Sequence, residues 1–365
     1  MASAVAALTR IYTERAVPAG TDVIGVTSNT VPWELLRAAG LRPVLLSPHR
    51  ANTPFADRYM EDVFAARMRA IFDYLLSGDG AGLCGVVIPR TSEQEHKLYL
   101  YLREVAREAA RQGGERIPPA LLYNLPHTRS HEARVYGLER TRQLKTDIEN
   151  LAGRAILDED LAAAIGEGND ARGTLRDLMR CREGVAPRLR GTEALALAGA
   201  WYFTDRRAYA AMATRAACEI EMREPLKGPR ILVKGVPTDH TRLHEAVERE
   251  GAVIVAEDDW WGSRAAGLDI DARTEPLTAI FEKYFLDAPG PRVFPAAVAD
   301  EWFLNKAGEA DGVIFYLPPE DDVIGWDYPR LRAELDGRGI PHLLLRDESR
   351  EAIGEFVAGL KDLHG

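Results

Sequence analysis

Residues 22–48 constrain the fold more than any other part of this sequence. Two short apolar runs, 23–26 and 41–46, have the length of buried strands, and the segment between them has the pattern of a short helix that ends at Gly40. A strand, helix, strand order predicts the start of an open α/β sheet, whose ligand crevice lies beyond the carboxyl ends of the strands. The loop after the first strand therefore places Ser28 at a site.

The same pattern recurs along the chain. Further short apolar strands or turn-and-strand segments are predicted at 86–89, 121–125, 231–233, 253–255, 311–315 and 340–345. The fold class is therefore α/β, with two open Rossmann- or flavodoxin-like parallel-sheet domains and a helical subdomain between them. The predicted organisation is an N-terminal helix that packs on the sheet (1–21), a first α/β domain (22–126), the helical subdomain (127–227) and a second α/β domain (228–365). Within the first domain, residues 53–77 have the pattern of one long amphipathic helix.

Composition limits the classes of partner. The chain has 365 residues, 46% of them hydrophobic, which is enough for two domain cores. A formal net charge of -10 makes a nucleic-acid partner improbable, because phosphate binding needs a dense basic face. No apolar run approaches the roughly 20 residues of a membrane-spanning helix, and no cleavage-site pattern follows the start. We therefore expect a soluble cytoplasmic protein without a membrane partner.

The cysteines do not form a recognisable framework. Cys84, Cys181 and Cys218 are widely spaced and contain no CxxC pair. An odd and sparse count argues against structural disulfides and fits a reducing compartment. Because buried cysteine is usually a small apolar side chain, we expect no metal site from these thiols.

Two later strands also lead into polar loops. Ser92 follows the strand 86–89 and begins a helix, with Glu95 placed as in a capping box, so a structural role is available to it. The strand 253–255 leads into the sequence EDDWWGSR, in which two acids, two indoles and an arginine cluster. One interpretation is that Arg264 pairs with Asp258 or Asp259 and holds the loop. The other, a wall of a ligand site or of a subunit contact, is what the family resemblance described next implies.

These loops carry a family resemblance. The sequence GVTSNTVPWELLRAAGLRPV resembles the first motif of the 2-hydroxyacyl-CoA dehydratase and benzoyl-CoA reductase subunits (D-component type), and VVIPRTSEQEHKLYLYL resembles the second. The acidic loop and the segment that ends at Pro329 resemble later blocks in the same order. The resemblance implies substrate-binding roles for Glu34, Glu93, Asp258, Asp259, Trp260, Trp261, Ser263 and Arg264.

The resemblance also implies three ligand positions for a [4Fe-4S] cluster, which are cysteines in the family. In this chain they are Ser28, Ser92 and Asp321. Iron–sulfur clusters need soft thiolate ligands, so three oxygen side chains argue against a cluster held by this chain. The three residues would then form a degenerate polar pocket with an uncertain catalytic role.

Three functional hypotheses follow from the resemblance. The first is a clusterless subunit of an acyl-CoA dehydratase (a lyase) or of an aromatic acyl-CoA reductase (an oxidoreductase). It would form a heterodimer with a cysteine-bearing paralogue that holds the [4Fe-4S] cluster, with an ATP-dependent activator protein as a further partner and an acyl-CoA thioester as the substrate. The second is a non-catalytic acyl-CoA-binding or scaffold protein. The third is a redox-independent enzyme in which Asp321 and Ser28 act as general base and hydrogen-bond donor.

Other motifs are weaker. His127 and His131, and His240 and His244, have the i, i+4 spacing of a helical metal site, but each pair lies beside an arginine, and exposed or capping histidines are the preferred interpretation. No strand leads into a Gly-x-Ser-x-Gly or Gly-x-Gly-x-x-Gly turn, so the sequence supports neither a hydrolase nor a dinucleotide site.

Overall fold

The first half of the chain forms an open parallel sheet. A computed structural model describes residues 3–18, 20–113, 116–287, 293–319, 321 and 324–364. The sheet has the strand order β2-β1-β3-β4 and consists of β1 (Val23–Val26), β2 (Arg42–Leu45), β3 (Gly85–Pro89) and β4 (Ala120–Tyr123). All neighbouring strands are parallel, and Val23 lies opposite Arg42. This is the order in which flavodoxin-like sheets begin, with a crevice between β1 and β3.

The second half repeats this topology. Its sheet has the order β6-β5-β7-β8 and consists of β5 (Arg230–Gly235), β6 (Val253–Glu257), β7 (Gly312–Tyr316) and β8 (His342–Leu345). Every residue of β6 and of β7 is buried, as expected of parallel strands that are covered on both faces. The predicted α/β class with two open parallel sheets is confirmed.

Helices cover both sheets and fill the sequence between them. The first sheet is accompanied by α1 (Ala4–Glu14), α2 (Trp33–Ala38), α3 (Pro54–Tyr59), α4 (Ala66–Leu76) and α5 (Glu93–Gln112). Between β4 and β5 lie α6 (His131–Ala152), α7 (Asp158–Arg180), α8 (Gly191–Ala200) and α9 (Arg206–Glu221). From β5 onward the chain contains α10 (Arg242–Arg249), α11 (Pro276–Leu286), α12 (Ala296–Ala307), α13 (Tyr328–Arg338) and α14 (Arg350–His364), with a 3₁₀ turn at Ile324–Trp326.

Two helices differ from the sequence-based expectation. The predicted helix 53–77 is two helices, α3 and α4, because the chain between them turns inward. Phe64 is buried there with its ring 6.0 Å from that of Tyr101, and the Ala65 N–H donates to Gln94 Oε1 at 2.8 Å. The N-terminal helix α1 packs chiefly on α8 and α9 rather than on the sheet.

The apolar core crosses the predicted domain limits. One cluster joins Leu35 of α2 and Leu144 of α6 with Ile280 and Phe281 of α11. A second cluster joins α1 with β2, α4 and α7 to α9. The predicted boundaries at 126 and 227 stay predictions, but the helical segment and α11 contribute to the same cores as the first sheet. No helix in the described part of the chain has both the length and the apolar character to cross a bilayer.

Candidate functional site

The carboxyl edges of the two sheets face each other. Asn29, in the loop after β1, donates from Nδ2 to the carbonyl of Ala265, in the loop after β6, at 2.9 Å. Arg15 Nη1 lies 2.8 Å from Ser47 Oγ, after β2, and 2.9 Å from Asp239 Oδ2, after β5. The structure therefore brings the two predicted loop regions together at the edges where open α/β sheets bind ligands.

Ser28 lies inside this junction rather than on an open surface. Its side chain is buried, with Oγ 2.8 Å from Thr30 Oγ1, and Oγ also accepts from the Thr30 N–H at 3.3 Å. Ser28 lines a small cavity of about 20 Å³ together with Arg206 and the loop after α8. The space exceeds what one water molecule needs. Ser28 is therefore placed to donate or accept one hydrogen bond into a confined space.

Ser92 is the N-cap of α5. Its Oγ accepts from the Glu95 N–H at 3.1 Å, which confirms the predicted cap. The buried Glu95 carboxylate accepts from Thr27 Oγ1 at 3.3 Å and from Thr91 Oγ1, so it joins the loops after β1 and β3. Burial raises the pKa of Glu95 in spite of these hydrogen bonds. Glu93 lies at the surface with Arg90 Nη2 3.6 Å away.

Asp321 lies on the loop after β7. Its Oδ1 accepts from the Ile324 N–H at 3.0 Å and its Oδ2 from the Gly325 N–H at 2.6 Å, so the carboxylate holds the start of the 3₁₀ turn. Asp321 thus lies on a loop at the carboxyl edge of the second sheet, and its assignment as a former ligand position stays a prediction.

The acidic loop after β6 is held by ion pairs. Asp258 Oδ1 lies 3.0 Å from Arg264 Nη1, and its Oδ2 bonds the Lys234 ammonium, which agrees with the pairing considered for Arg264. Ser263 Oγ accepts from the Glu257 N–H at 3.1 Å and from Arg182 at 2.8 Å.

Asp259 has different surroundings. Its Oδ1 accepts from the Trp261 and Gly262 N–H groups at 2.8 and 2.6 Å. Burial, followed by the charge of Glu257, raises the pKa of Asp259 to about 7. This carboxyl group can therefore exchange a proton near neutral pH, as a general acid or base requires.

The two indoles lie at different depths. Trp261 is buried and packs with its ring centroid 6.3 Å from that of Tyr12 and 5.2 Å from that of Tyr202, so it belongs to the core. Trp260 is half-buried, and the guanidinium of Arg67 lies 5.5 Å from its ring centroid. Of the two, Trp260 is the one placed at the edge of the junction.

Glu34 forms a fully buried ion pair. Its Oε1 lies 2.5 Å from Arg172 Nη1, and its Oε2 accepts from the Tyr284 hydroxyl at 2.9 Å. Burial opposes ionisation, but the charge of Arg172 keeps the pKa of Glu34 below its usual value. A Cβ at Gly168 would lie 2.6 Å from Glu34 Oε1, so that glycine leaves room for the pair. Both Glu34 oxygens are thus used between helices α2, α7 and α11.

His244 corrects the expectation of exposed or capping histidines. It is 1% exposed, and its Nε2 lies 2.9 Å from Glu257 Oε1. Arg182 Nη1 contacts the same oxygen at 2.7 Å. Although burial disfavours the charged form, Arg182 and His244 hold the pKa of Glu257 well below its usual value. The face of α10 that carries His244 packs on β6, which explains the burial.

Sequence reasoning missed three arginines at the junction. Arg67 donates to the Thr27 and Leu46 carbonyls, Arg182 pairs with Glu257, and Arg206 lines the Ser28 cavity. Arginines occur at both buried and exposed positions in these helices, so residue type alone did not mark them. The only local signal was an arginine directly after the N-cap Asp205, where a cation is unfavourable.

The side chains at the three implied ligand positions do not fit an iron–sulfur cluster. The donors of Ser28, Ser92 and Asp321 are oxygens, and each already has a hydrogen bond within its own loop. Cys84 precedes β3 at its amino end, on the opposite edge of the sheet. Cys181 and Cys218 line a groove with residues of α7 and α9. The residues present at the carboxyl edges thus supply hard ligands where a cluster requires soft ones.

Comparison with known proteins extends over nearly the whole chain. The family model of the 2-hydroxyglutaryl-CoA dehydratase D-component matches residues 29–356. The (R)-phenyllactyl-CoA dehydratase beta subunit of Clostridium sporogenes is 22% identical over 350 residues, which cover 92% of this chain and 91% of the relative. The (R)-2-hydroxyglutaryl-CoA dehydratase subunit beta of Acidaminococcus fermentans is 22% identical over 355 residues, which cover 94% and 91%. The similarity therefore includes both sheets and the helical segment.

Proposed function

Because the chain belongs to the 2-hydroxyglutaryl-CoA dehydratase D-component family, we propose that it is a subunit of a heteromeric 2-hydroxyacyl-CoA dehydratase and holds no cluster itself. Its partner would be a cysteine-bearing paralogue that carries the [4Fe-4S] cluster and receives electrons from an ATP-dependent activator protein. Dehydration is preferred to aromatic ring reduction because both relatives described above are dehydratase subunits.

The observation that carries the proposal is the chemistry of the three implied ligand positions. Ser28 shares its hydroxyl with Thr30, Ser92 caps a helix, and Asp321 caps a turn. Three oxygen side chains with local structural roles are poor ligands for the iron of a [4Fe-4S] cluster. The redox centre of the complex is therefore expected on the other subunit.

The role proposed for this chain is to form part of the thioester site and the subunit interface. The loop after β6 carries Asp259, whose pKa is raised toward neutral, and the half-buried Trp260. Arg67 of α4 supplies a cation beside them and donates to the carbonyls of Thr27 and Leu46. A cation and an indole suit the phosphates and adenine of a CoA group, since arginine binds phosphate and aromatic faces stack. Glu93, the first residue of α5, and Arg264, on the loop after β6, are kept as candidate contacts.

The first experiment is an oxygen-free affinity purification of the chain from its native host. We expect a cysteine-bearing relative of similar size to co-purify at equal stoichiometry, and the pair to contain iron and sulfide. Recovery of the chain alone would contradict the heteromeric proposal. Stoichiometric iron and sulfide in the isolated chain would contradict the absence of a cluster.

A reconstitution test examines the ligand positions themselves. The wild-type chain and the variant S28C/S92C/D321C are each incubated with ferrous iron and sulfide without oxygen, and visible absorption is recorded. We expect no cluster in the wild type and cluster absorption in the variant. Wild-type absorption that persists when Cys84, Cys181 and Cys218 are changed to alanine would show that the oxygen ligands suffice. A variant that folds, by circular dichroism, but takes up no iron would contradict the convergence of the three positions.

A further inference from the structure

Arg206 is a buried cation without an acidic partner. It is 5% exposed, and in the described part of the chain no carboxylate lies within ion-pair distance of its guanidinium. Its Nη1 donates to the Trp201 carbonyl at 2.5 Å, which uses one of five N–H donors. The negative charge of Glu34 attracts Arg206 only at long range, because both Glu34 oxygens are hydrogen-bonded to other residues, Arg172 and Tyr284. A buried charge without a counter-charge lowers the stability of the fold, so an anion bound beside Arg206 would be stabilising.

The position of Arg206 in its helix adds to the positive potential. Arg206 is the first residue of α9, a helix of 16 residues, and the N-terminus of a helix carries partial positive charge. The N-cap Asp205 accepts from the Arg207 and Ala208 N–H groups, so its carboxylate is directed to the backbone. Burial lowers the pKa of Arg206 to about 9, which agrees with a guanidinium that lacks a counter-charge.

The guanidinium lines the cavity beside Ser28. It lies 3.2 Å from the Trp201 ring centroid and 5.2 Å from that of Trp33, and both indoles also line the cavity. The paired hydroxyls of Ser28 and Thr30 can donate one further hydrogen bond, because only one proton is needed between them. Val26, Val31 and Leu45 complete an apolar wall. The cavity thus combines a cation, a hydroxyl donor and an apolar surface.

We propose that this cavity binds a small carboxylate, with its oxygens on Arg206 and the Ser28 hydroxyl pair. The planar fork of arginine matches the two oxygens of a carboxylate. The enclosed space of about 20 Å³ holds little more than one water-sized group, so the carboxylate head enters it and the rest of the ligand faces the open side of the cavity. This limits the ligand to a carboxylate with a small substituent, such as formate or acetate. The site lies on this chain alone and goes beyond the proposed dehydratase role, so it can be tested without a partner subunit.

The test is an acetate titration of the full chain, followed by tryptophan fluorescence, because Trp33 and Trp201 border the cavity. Sodium gluconate, a carboxylate too large for the space, is replaced by sodium acetate at constant ionic strength. We expect a saturable change in the millimolar range, as suits a four-atom ligand. Arg206→Gln should weaken the response at least tenfold. Arg207→Gln, on the next and exposed residue of α9, should leave it unchanged.

Several outcomes would overturn the proposal. These are the absence of a saturable acetate response in the wild type, an undiminished response in Arg206→Gln, and an equal response to chloride, which would remove the carboxylate assignment. Should Arg206→Gln fail to fold by circular dichroism, Arg206→Lys and Ser28→Ala are titrated instead. Each removes part of the hydrogen-bonding set, and unweakened acetate binding in both would contradict the site.

Discussion

Asp258 and Asp259 are adjacent carboxylates with opposite electrostatic surroundings. Asp258 lies between Lys234 and Arg264. In the described part of the chain, Asp259 accepts only backbone N–H groups, and it lies near the negative charge of Glu257. The protonation of this loop near neutral pH is therefore expected to depend on Asp259.

Asp259→Asn should remove a pH-dependent loss of folding stability. The pKa of Asp259 is raised from its ordinary value to about 7, so the folded state holds a proton that the unfolded state has lost between about pH 4 and 7. Stability due to this group falls as the pH rises through that window. Asparagine keeps an oxygen for the Trp261 and Gly262 N–H groups. We expect the variant to match the wild type at pH 4 and to exceed it by on the order of 4 kcal/mol at pH 8, measured by urea unfolding.

The matched control is Asp258→Asn, one residue earlier. It leaves Lys234 and Arg264 without their carboxylate and should destabilise the protein by about 3 kcal/mol at pH 8. A constant difference between Asp259→Asn and the wild type over this pH range would contradict the raised pKa.

The Glu34 and Arg172 pair is a second residue-scale prediction. Glu34→Gln leaves the buried guanidinium with only the half-exposed Asp269, 3.8 Å from its Nε, and should cost about 3–5 kcal/mol. Replacing both residues with methionine should recover part of this loss, because neither member of the pair then remains as a buried charge without its partner. A double-mutant cycle by chemical denaturation measures the coupling. Arg180→Gln, at the exposed end of the same helix, should change stability by less than about 1 kcal/mol. Equal losses in the single and double variants would contradict the pairing.

At the scale of elements, helix ends were predictable where their signals are local. The Ser92 cap and the helix end at Gly40 depend on residues three or four positions apart, and the structure has both. The break between α3 and α4 depends instead on Phe64 packing against Tyr101 of a different helix. The hydrophobic periodicity of one segment cannot predict a contact with a different helix.

Ser92 allows capping to be separated from a direct role in function. Ser92→Ala should lower stability by about 0.5–2 kcal/mol, since the Glu95 N–H loses its acceptor. Ser92→Asn keeps an acceptor without adding a charge beside the Glu95 carboxylate, and it should retain wild-type stability. Dehydratase activity of the assembled complex is measured for both variants. Activity that follows stability supports a structural role, whereas loss of activity in a stable Ser92→Asn variant would show that the hydroxyl itself is needed.

At the scale of the whole molecule, the topology of the two sheets could be predicted from the sequence. The contacts between the two sheets' loops could not. Alternating apolar runs and helices are sufficient to predict two parallel sheets, and strand ends then identify the loops at Ser28 and Asp259. The contacts that join these loops involve residues far apart in the chain. Asn29 reaches Ala265, and Arg182 meets Glu257 and His244. Such pairs have no local pattern, so the sequence placed the loops without showing which side chains fill the space between them.

Arg15 makes several of these long-range contacts. It follows α1 with a left-handed backbone (φ 43°), and its guanidinium lies 4.7 Å from the Tyr12 ring centroid and 5.5 Å from that of Trp261 while it bonds Ser47 and Asp239. Tyr12 also donates to the Asp239 carbonyl at 2.7 Å. Burial opposes ionisation of Asp239, but the charge of Arg15 keeps its pKa below the usual value. One arginine therefore links the N-terminal helix, the first sheet and the second sheet.

Arg15→Gln should loosen the junction without unfolding either sheet. The variant loses the ion pair and the contacts with the rings of Tyr12, Phe203 and Trp261, while the cores around β3 and β7 keep their apolar contacts. We expect amide hydrogen exchange to accelerate at least tenfold in α1 and in residues 236–241, with β3 and β7 unchanged. Arg10→Gln, on the exposed face of the same helix, is the control and should leave exchange as it is. Uniform acceleration in all segments would mean that Arg15 supports global stability. Unchanged exchange in α1 and 236–241 would show that the halves are held together by apolar packing, because the ion pair would then contribute nothing to closing the crevice.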